Sequence, residues 1–274
     1  MIRQSVFKIA DSTWCINEFN LVNAFLVEGE ESAAIIDTGC GLGNIRKVVE
    51  GFVQKPLSVF LTHSHPDHTG GIYHFTDCPI YMNKDDANTE IFGFKRDNEF
   101  RRNYVLSRGP VRNPEHVSEM LSLIPSSQPD CTFSFVDIDD GTVLSLGGRE
   151  FECIHTPGHT EGSICFLDAS RRILFSGDTV NNSIILPRQK DNNTSLIEKY
   201  HNTLQKLWQR ESQFDVLAIG HESATVGKDL IHDYLCLSEG LLNGSIRGAY
   251  EEKGFRKGDV ARLGKAELWY QCDT

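Results

Sequence analysis

The sequence predicts an α/β protein in which two similar halves pack face to face. Three observations carry that expectation. Apolar runs of strand length alternate with stretches whose apolar residues recur at helical spacing. The order strands-then-helix occurs twice along the 274 residues. Histidine and aspartate stand where the apolar runs end, and α/β proteins place ligand sites at strand C-termini.

Residues 5–9, 13–17 and 22–28 read as successive short strands separated by turn residues. Ser32 to Asp37 is a further apolar strand and ends in Asp37-Thr38-Gly39. From Gly43 to Phe52, the recurrence of Ile45, Val48, Val49 and Phe52 predicts an amphipathic helix. Leu57 to Leu61 reads as a buried strand, so a right-handed strand–helix–strand unit leads into residues 62–71. Ile80 to Met82 is a brief strand.

Residues 84–130 change character. Charges and amides dominate, interleaved with Ile91, Phe92, Phe94, Phe100, Tyr104 and Leu106. Two or three helices are expected, with Pro110, Pro114, Pro125 and Pro129 as breaks. An insertion between two halves of a site is well placed to be a lid or substrate wall, with a partner surface or plain packing as the alternative. Strands return at Thr132–Val136, Thr142–Leu146, Glu150–His155, Ser163–Leu167 and Arg172–Ser176. Ser195 to Arg210 has Leu196, Tyr200, Leu204 and Leu207 at helical spacing, Phe214 to Ile219 is a last buried strand, and 227–242 reads as helix. The expectation is a single domain over 1–274, with a helical insertion at 84–130 and a short helical, basic tail at 245–274.

Composition narrows the function classes. At 39% hydrophobic and 9% aromatic the chain is ordinary globular material. No run approaches the roughly 18 apolar residues that span a bilayer, and the first residues lack the apolar core of a signal peptide. A cytoplasmic location without membrane attachment is therefore expected. The 8 cysteines include no Cys-x-x-Cys pair, which suits reduced, mostly buried thiols. A formal charge of −11 argues against nucleic acid as partner. A small-molecule substrate remains, and a homodimer is left open.

The chemistry concentrates in His63-Ser64-His65-Pro66-Asp67-His68, directly after strand 57–61. With 10 His in the chain, His-x-His-x-Asp-His is expected by chance at only about 0.001 places. Imidazole and carboxylate are ligands for zinc and related divalent ions. Alternate residues of an extended segment point the same way, so His63 and His65 can share one ion. Asp67 and His68, past the bend at Pro66, suit a second. Three more candidates follow strands, each after a glycine that permits a sharp turn: His159, Asp178 and His221. His74, His116, His201 and His232 lack that placement and read as packing or surface. His155 reads as buried, with support of His159 as the alternative.

Taken together, His63, His65, Asp67, His68, His159, Asp178 and His221 resemble the ligand set of the metallo-β-lactamase superfamily, and Asp37 matches the aspartate preceding its first histidines. The resemblance covers roughly residues 20–225. It implies a four-layer αββα sandwich, two sheets with helices on both outer faces. It implies two divalent ions, zinc first, with iron or manganese as alternatives. His63, His65 and His159 would hold one ion and Asp67, His68 and His221 the other. Asp178 would bridge them, Asp67 and Asp178 would be the catalytic carboxylates, and Asp37 would support the histidine geometry from behind.

Within that superfamily the set looks most like the glyoxalase II and lactonase branches. Asp178 stands where many zinc β-lactamases place cysteine or serine, and Asn181 stands where quorum-quenching lactonases often carry tyrosine. The resemblance implies hydrolysis of an ester-like bond, thioester or lactone, by a hydroxide held between the ions. A mononuclear iron persulfide dioxygenase and a phosphodiesterase are the alternatives. No Lys or Arg cluster borders the ligand motifs, which favours the ester over the phosphodiester.

Overall fold

The computed structural model describes residues 2–87, 96–189 and 193–273. Its strands are β1 (Ser5–Ala10), β2 (Thr13–Glu18), β3 (Val22–Glu28), β4 (Ala33–Ile36), β5 (Leu57–Phe60), β6 (Ile80–Met82) and β7 (Val136–Asp137) in the first half. The second half adds β8 (Val143–Ser145), β9 (Glu150–His155), β10 (Ile164–Asp168), β11 (Ile173–Gly177), β12 (Ile184–Pro187), β13 (Val216–Ile219), β14 (Thr225–Gly227), β15 (Ala249–Lys253), β16 (Arg256–Leu263) and β17 (Ala266–Asp273). The helices are α1 (Ile45–Glu50), α2 (Pro66–Thr69), α3 (Asn98–Arg112), α4 (Val117–Ser122), α5 (Thr194–Trp208) and α6 (Asp229–Asn243).

Strands β1 to β7 form one sheet in sequence order, antiparallel as far as β4 and parallel beyond it. The second sheet runs β14-β13-β11-β10-β9-β8. Their inner faces meet through large apolar side chains: the Phe25 and Phe175 rings lie 5.4 Å apart, as do those of Phe60 and Phe166. Burying such rings is the main driving force for closing the sandwich. On the outer face of the first sheet, Ile45 and Val49 of α1 pack with Ile35 and Val59. On the outer face of the second, Leu196, Tyr200 and Leu204 of α5 and Leu230 and Tyr234 of α6 pack with Ile154, Leu174 and Leu217. Helix, sheet, sheet and helix are thus the four expected layers. No helix among the described residues is long and apolar enough to cross a membrane.

The structure departs from the sequence expectation in instructive places. The tail at 245–274 is not helical: β15, β16 and β17 form a meander that joins β12 in a third sheet, ordered β12-β17-β16-β15. Short apolar pairs separated by charges, as in Asp259-Val260-Ala261-Arg262, carry too weak a period to distinguish strand from helix. Of the expected strand 132–136 only Val136 pairs, together with Asp137 just beyond it. β12 and β14 were not foreseen, being four and three residues long. Pro110 does not break α3. It sits in the last turn, and Asn113 N–H donates to Gly109 O at 2.8 Å three residues after Pro110's missing donor. Ile91, Phe92 and Phe94 lie outside the described residues.

One buried ion pair ties the far end of the sandwich together. Arg149, 3% exposed, meets Asp168, 0% exposed, at 2.6 Å, and donates to Ser12 O and the Thr13 hydroxyl across the sheets. Asp168→Ala would leave the guanidinium buried without its counter-charge. It is expected to lower the unfolding free energy by about 3–5 kcal/mol, read as a shift in denaturant midpoint at unchanged slope.

Candidate metal centre

The seven candidate residues converge at the C-terminal ends of strands from both sheets. β5 delivers His63 through Leu61 and Thr62. His65 caps the single turn α2, with Pro66 at the first helical position, where its missing N–H costs nothing. That turn carries Asp67 and His68 past the bend. β9, β11 and β13 are followed by His159, Asp178 and His221. Gly220 is required beside them, since a Cβ there would lie 2.5 Å from Asp178 Oδ1 and 2.7 Å from His68 Cε1.

Three groups of potential ligand atoms lie within 4.8 Å of one another: His63, His65 and His159; Asp67, His68 and His221; and His63, His68 and Asp178. His65 Nδ1 is 3.0 Å from His159 Nε2, and His68 Nε2 is 3.4 Å from His221 Nε2. The Asp178 carboxylate faces both groups, with Oδ2 3.2 Å from His221 Nε2 and 3.6 Å from His159 Nε2. Ligand atoms of a tetrahedral zinc site, at about 2.0–2.1 Å from the ion, stand about 3.3 Å apart. The spacings fit. His63 Nε2 fits as well: it is buried and has no hydrogen-bond partner among the described residues, a costly arrangement unless a cation takes the lone pair.

The opposite ring nitrogens are tethered, which fixes which nitrogen faces inward. His68 Nδ1 lies 2.8 Å from Asp37 Oδ2, and His63 Nδ1 3.0 Å from the Thr62 hydroxyl, which itself donates to Asp37 Oδ2 at 2.7 Å. His159 Nδ1 is held by Ile185 O and His221 Nδ1 by Leu21 O, at 2.8 and 2.9 Å. Asp37 thus braces one histidine of each group. It does so with φ of +59°, a left-handed conformation that aspartate tolerates better than most residues. His155 instead meets Glu161 O at 2.8 Å, away from the site.

Several supports escaped the sequence reading. Asp86 accepts from Ser64 N–H at 2.8 Å and from the Thr160 hydroxyl at 2.9 Å, joining the two histidine loops. Asn181 donates to Asp178 Oδ1 at 3.0 Å. The Tyr104 hydroxyl, on α3, donates to Asp67 Oδ2 at 2.7 Å. Burial, then Asp67, holds that phenol well above its ordinary pKa, so it stays a donor. Tyr104→Phe keeps the ring and removes this bond. Metal affinity is expected to fall about 10-fold at the Asp67 side, measured by competition with a chelator, with the fold unchanged.

Opposite charges face one another across the cluster. Burial works against ionising Asp67 and Asp178, yet His68 and His221 outweigh it, holding Asp67 at about 2 and Asp178 well below the usual carboxylate range. Burial also opposes protonating His68, yet Asp178 and Asp37 hold it well above the imidazole range. Burial, reinforced by neighbouring histidines, pushes His63 well down and His65 to about 3, leaving both neutral and ready to ligate.

A cavity of about 210 Å³ opens over the cluster, floored by His65, Asp67, His159, Asp178 and His221. Its apolar wall is Phe100 and Tyr104 from α3, Ile185 from β12 and Phe255 from the β15–β16 turn. The described part of the 84–130 stretch thus contributes directly to this wall. Arg108, Arg112 and Arg256 also line it. Basic groups therefore do reach the site, contrary to the sequence expectation. They are remote from the ligand motifs along the chain, and α3 and the C-terminal meander bring them in.

Comparison with known proteins gives one consistent picture. The family model described as metallo-beta-lactamase superfamily matches residues 18–221. The acyl-coenzyme A thioesterase MBLAC2 of Homo sapiens is 33% identical over 175 residues, 59% of this chain and 59% of that protein. The match thus spans about three fifths of that relative's length. The hydroxyacylglutathione hydrolase GloC of Haemophilus influenzae is 29% identical over 157 residues, covering 56% of this chain and 63% of that protein. Among solved structures, a metallo-beta-lactamase from Pontibacter korlensis superposes with a TM-score of 0.58 at 19% identity, over 86% of this chain and 99% of that one.

Proposed function

This chain belongs to the metallo-β-lactamase superfamily, and from that premise we propose that it is a hydrolase that uses two divalent ions to cleave a thioester or a related carboxylic ester bond. The observation that carries the proposal is the Asp178 carboxylate, set between two three-residue groups with an oxygen 3.2 Å from His221 Nε2 and 3.6 Å from His159 Nε2. Two of the relatives reported above carry names of thioester hydrolases, an acyl-coenzyme A thioesterase and a hydroxyacylglutathione hydrolase, which supports the thioester.

His63, His65 and His159 would hold one ion, Asp67, His68 and His221 the other, and Asp178 both. When bound, such a pair of dications, zinc first, supplies Lewis-acid polarisation of a carbonyl and a water of lowered pKa. The chain supplies the rest. Asp37, Thr62, Ile185 O and Leu21 O hold the imidazoles in one tautomer and orientation. Tyr104 fixes the Asp67 carboxylate. Phe100, Tyr104, Ile185 and Phe255 give an acyl group an apolar wall and keep bulk water from the bond to be broken.

The three arginines favour one second reading, a phosphodiesterase, because guanidinium forks match phosphate oxygens. A single experiment separates the readings: turnover of thioesters, lactones, carboxylic esters and a bis-aryl phosphodiester, with metal content measured in the same samples. Thioester turnover with two ions per chain supports the proposal. Turnover of the phosphodiester alone, full activity in metal-depleted protein, or one iron per chain with oxygen uptake would overturn it.

A further inference from the structure

Two guanidinium groups beside the centre have more positive charge than their surroundings neutralise. Arg108 lies on α3, one turn from Tyr104, and its Cζ stands 3.9 Å from the Tyr104 ring centroid and 3.6 Å from that of Phe255. Sandwiched between two rings, it is aimed rather than free. Its only hydrogen bond among the described residues is to the Ser107 hydroxyl at 2.9 Å, and no carboxylate among them lies within 4.0 Å. Arg256, at the start of β16, also stands near Phe255, its Cζ 5.2 Å from that ring. Its Nε is buried and has no hydrogen-bond partner among the described residues.

The one carboxylate among the described residues within 4.0 Å of the Arg256 guanidinium is already engaged. Glu267 Oε1 lies 3.5 Å from Arg256 Nη1, but Glu267 also accepts from Arg262 and the Ser183 hydroxyl at 2.7 Å and from Trp269 Nε1 at 3.0 Å. Burial, with Arg112 and Arg108 nearby, draws the Arg256 guanidinium below its ordinary pKa despite Glu267 and Glu222, and Glu222 is itself paired with Arg112. Arg112 is different. It donates to Leu21 O at 2.7 Å and pairs with Glu222 at 3.6 Å, so it holds the loop that tethers His221.

We propose that Arg108 and Arg256 bind an anionic group of the substrate, carried within a few bonds of the bond that is cleaved. A buried guanidinium nitrogen without an acceptor is costly, and a carboxylate or phosphate oxygen relieves it while matching the fork of donors. The anion must be close to the reacting bond. Arg108 stacks on the ring whose hydroxyl touches Asp67, so a charge at the far end of a long carrier would lie beyond both arginines. The inference rests on the thioester reading for its substrate frame, and its test separates the two.

The test uses the metal-loaded protein and two matched pairs. Butyryl thioesters of 3-mercaptopropionate and 3-mercaptopropanamide place the charge on the thiol side. Glutaryl and butyryl thioesters of mercaptoethanol place it on the acyl side. In one pair the anionic member is expected to be preferred by at least about 10-fold in kcat/KM. Arg108→Gln and Arg256→Gln should each cut that preference by roughly 10-fold or more, and Arg108→Lys should restore part of it. Metal content and melting temperature confirm that the variants are folded and loaded. A preference below twofold in both pairs, or one that survives in both Gln variants and so belongs to the ions, overturns the inference. If no thioester is cleaved, the thioester reading fails and binding still decides. S-butyl-3-mercaptopropionate should bind more tightly than its amide in calorimetry, and lose that advantage in the Gln variants. Equal binding overturns the inference.

Discussion

Replacing His63 by alanine is expected to abolish hydrolysis, lowering kcat/KM by at least about 10³-fold. Lewis-acid stabilisation supplies several kcal/mol, and each 1.36 kcal/mol is tenfold in rate. His63 is chosen because it belongs to two of the three ligand groups, one with His65 and His159 and one with His68 and Asp178. Its Nε2 is buried without a hydrogen-bond partner among the described residues. The variant should lose metal together with activity, so metal content by mass spectrometry and kcat/KM are measured on one preparation. Its fold is checked by denaturant midpoint against metal-depleted wild type, the matched reference for a variant expected to lose its ions. A His63→Ala protein that keeps its metal and its activity would remove the proposed centre.

The second large effect contrasts two aspartates. Asp178→Ala should release both ions, whereas Asp37→Asn should weaken binding by about 10–100-fold and leave the ions in place at saturating metal. The difference follows from what each carboxylate meets. Asp178 has oxygens 3.5 Å from His68 Nε2 and 3.2 Å from His221 Nε2, the nitrogens that face inward. Asp37 meets the outward side of His68, and Thr62 relays its hold to His63. Asparagine tolerates the left-handed backbone at position 37 and keeps an acceptor for Thr62 N–H, now 2.8 Å away. Metal titration against a chelator of known affinity reads both variants. Equal retention in the two would reverse the roles assigned here.

Much of this was legible in the sequence because the site is written at strand ends. An apolar run closed by glycine and histidine marks both the element and the turn that exposes the ligand, and such signals placed His159, Asp178 and His221 beside the first cluster. The supports were harder to read. Asp86 is one of three acidic or basic residues in a row, and nothing local marks it as the carboxylate that joins two histidine loops. Tyr104 and Arg108 share a helical face, but α3 also carries Arg101, wholly buried and donating to Gly70 O at 2.7 Å. Charge on that helix therefore did not report exposure. The meander at 249–273 was the largest miss, since its pairing is decided by register with β12, itself only four residues long. Tertiary partners, rather than intrinsic propensity, make these strands.

That meander also bears on the order of events during synthesis. His159 is oriented by the carbonyl of Ile185, and Ile185 lies in register with Trp269 of β17. The ribosome delivers residues 63 to 221, and with them every potential ligand, before it delivers Ala266–Asp273. A nascent chain at that stage holds a full set of donors but an imidazole whose anchor is not yet paired. Domains fold as units while they emerge, and here the unit is completed only when β17 docks. The backbone that orients His159 is therefore completed by a strand translated after all seven candidate ligands.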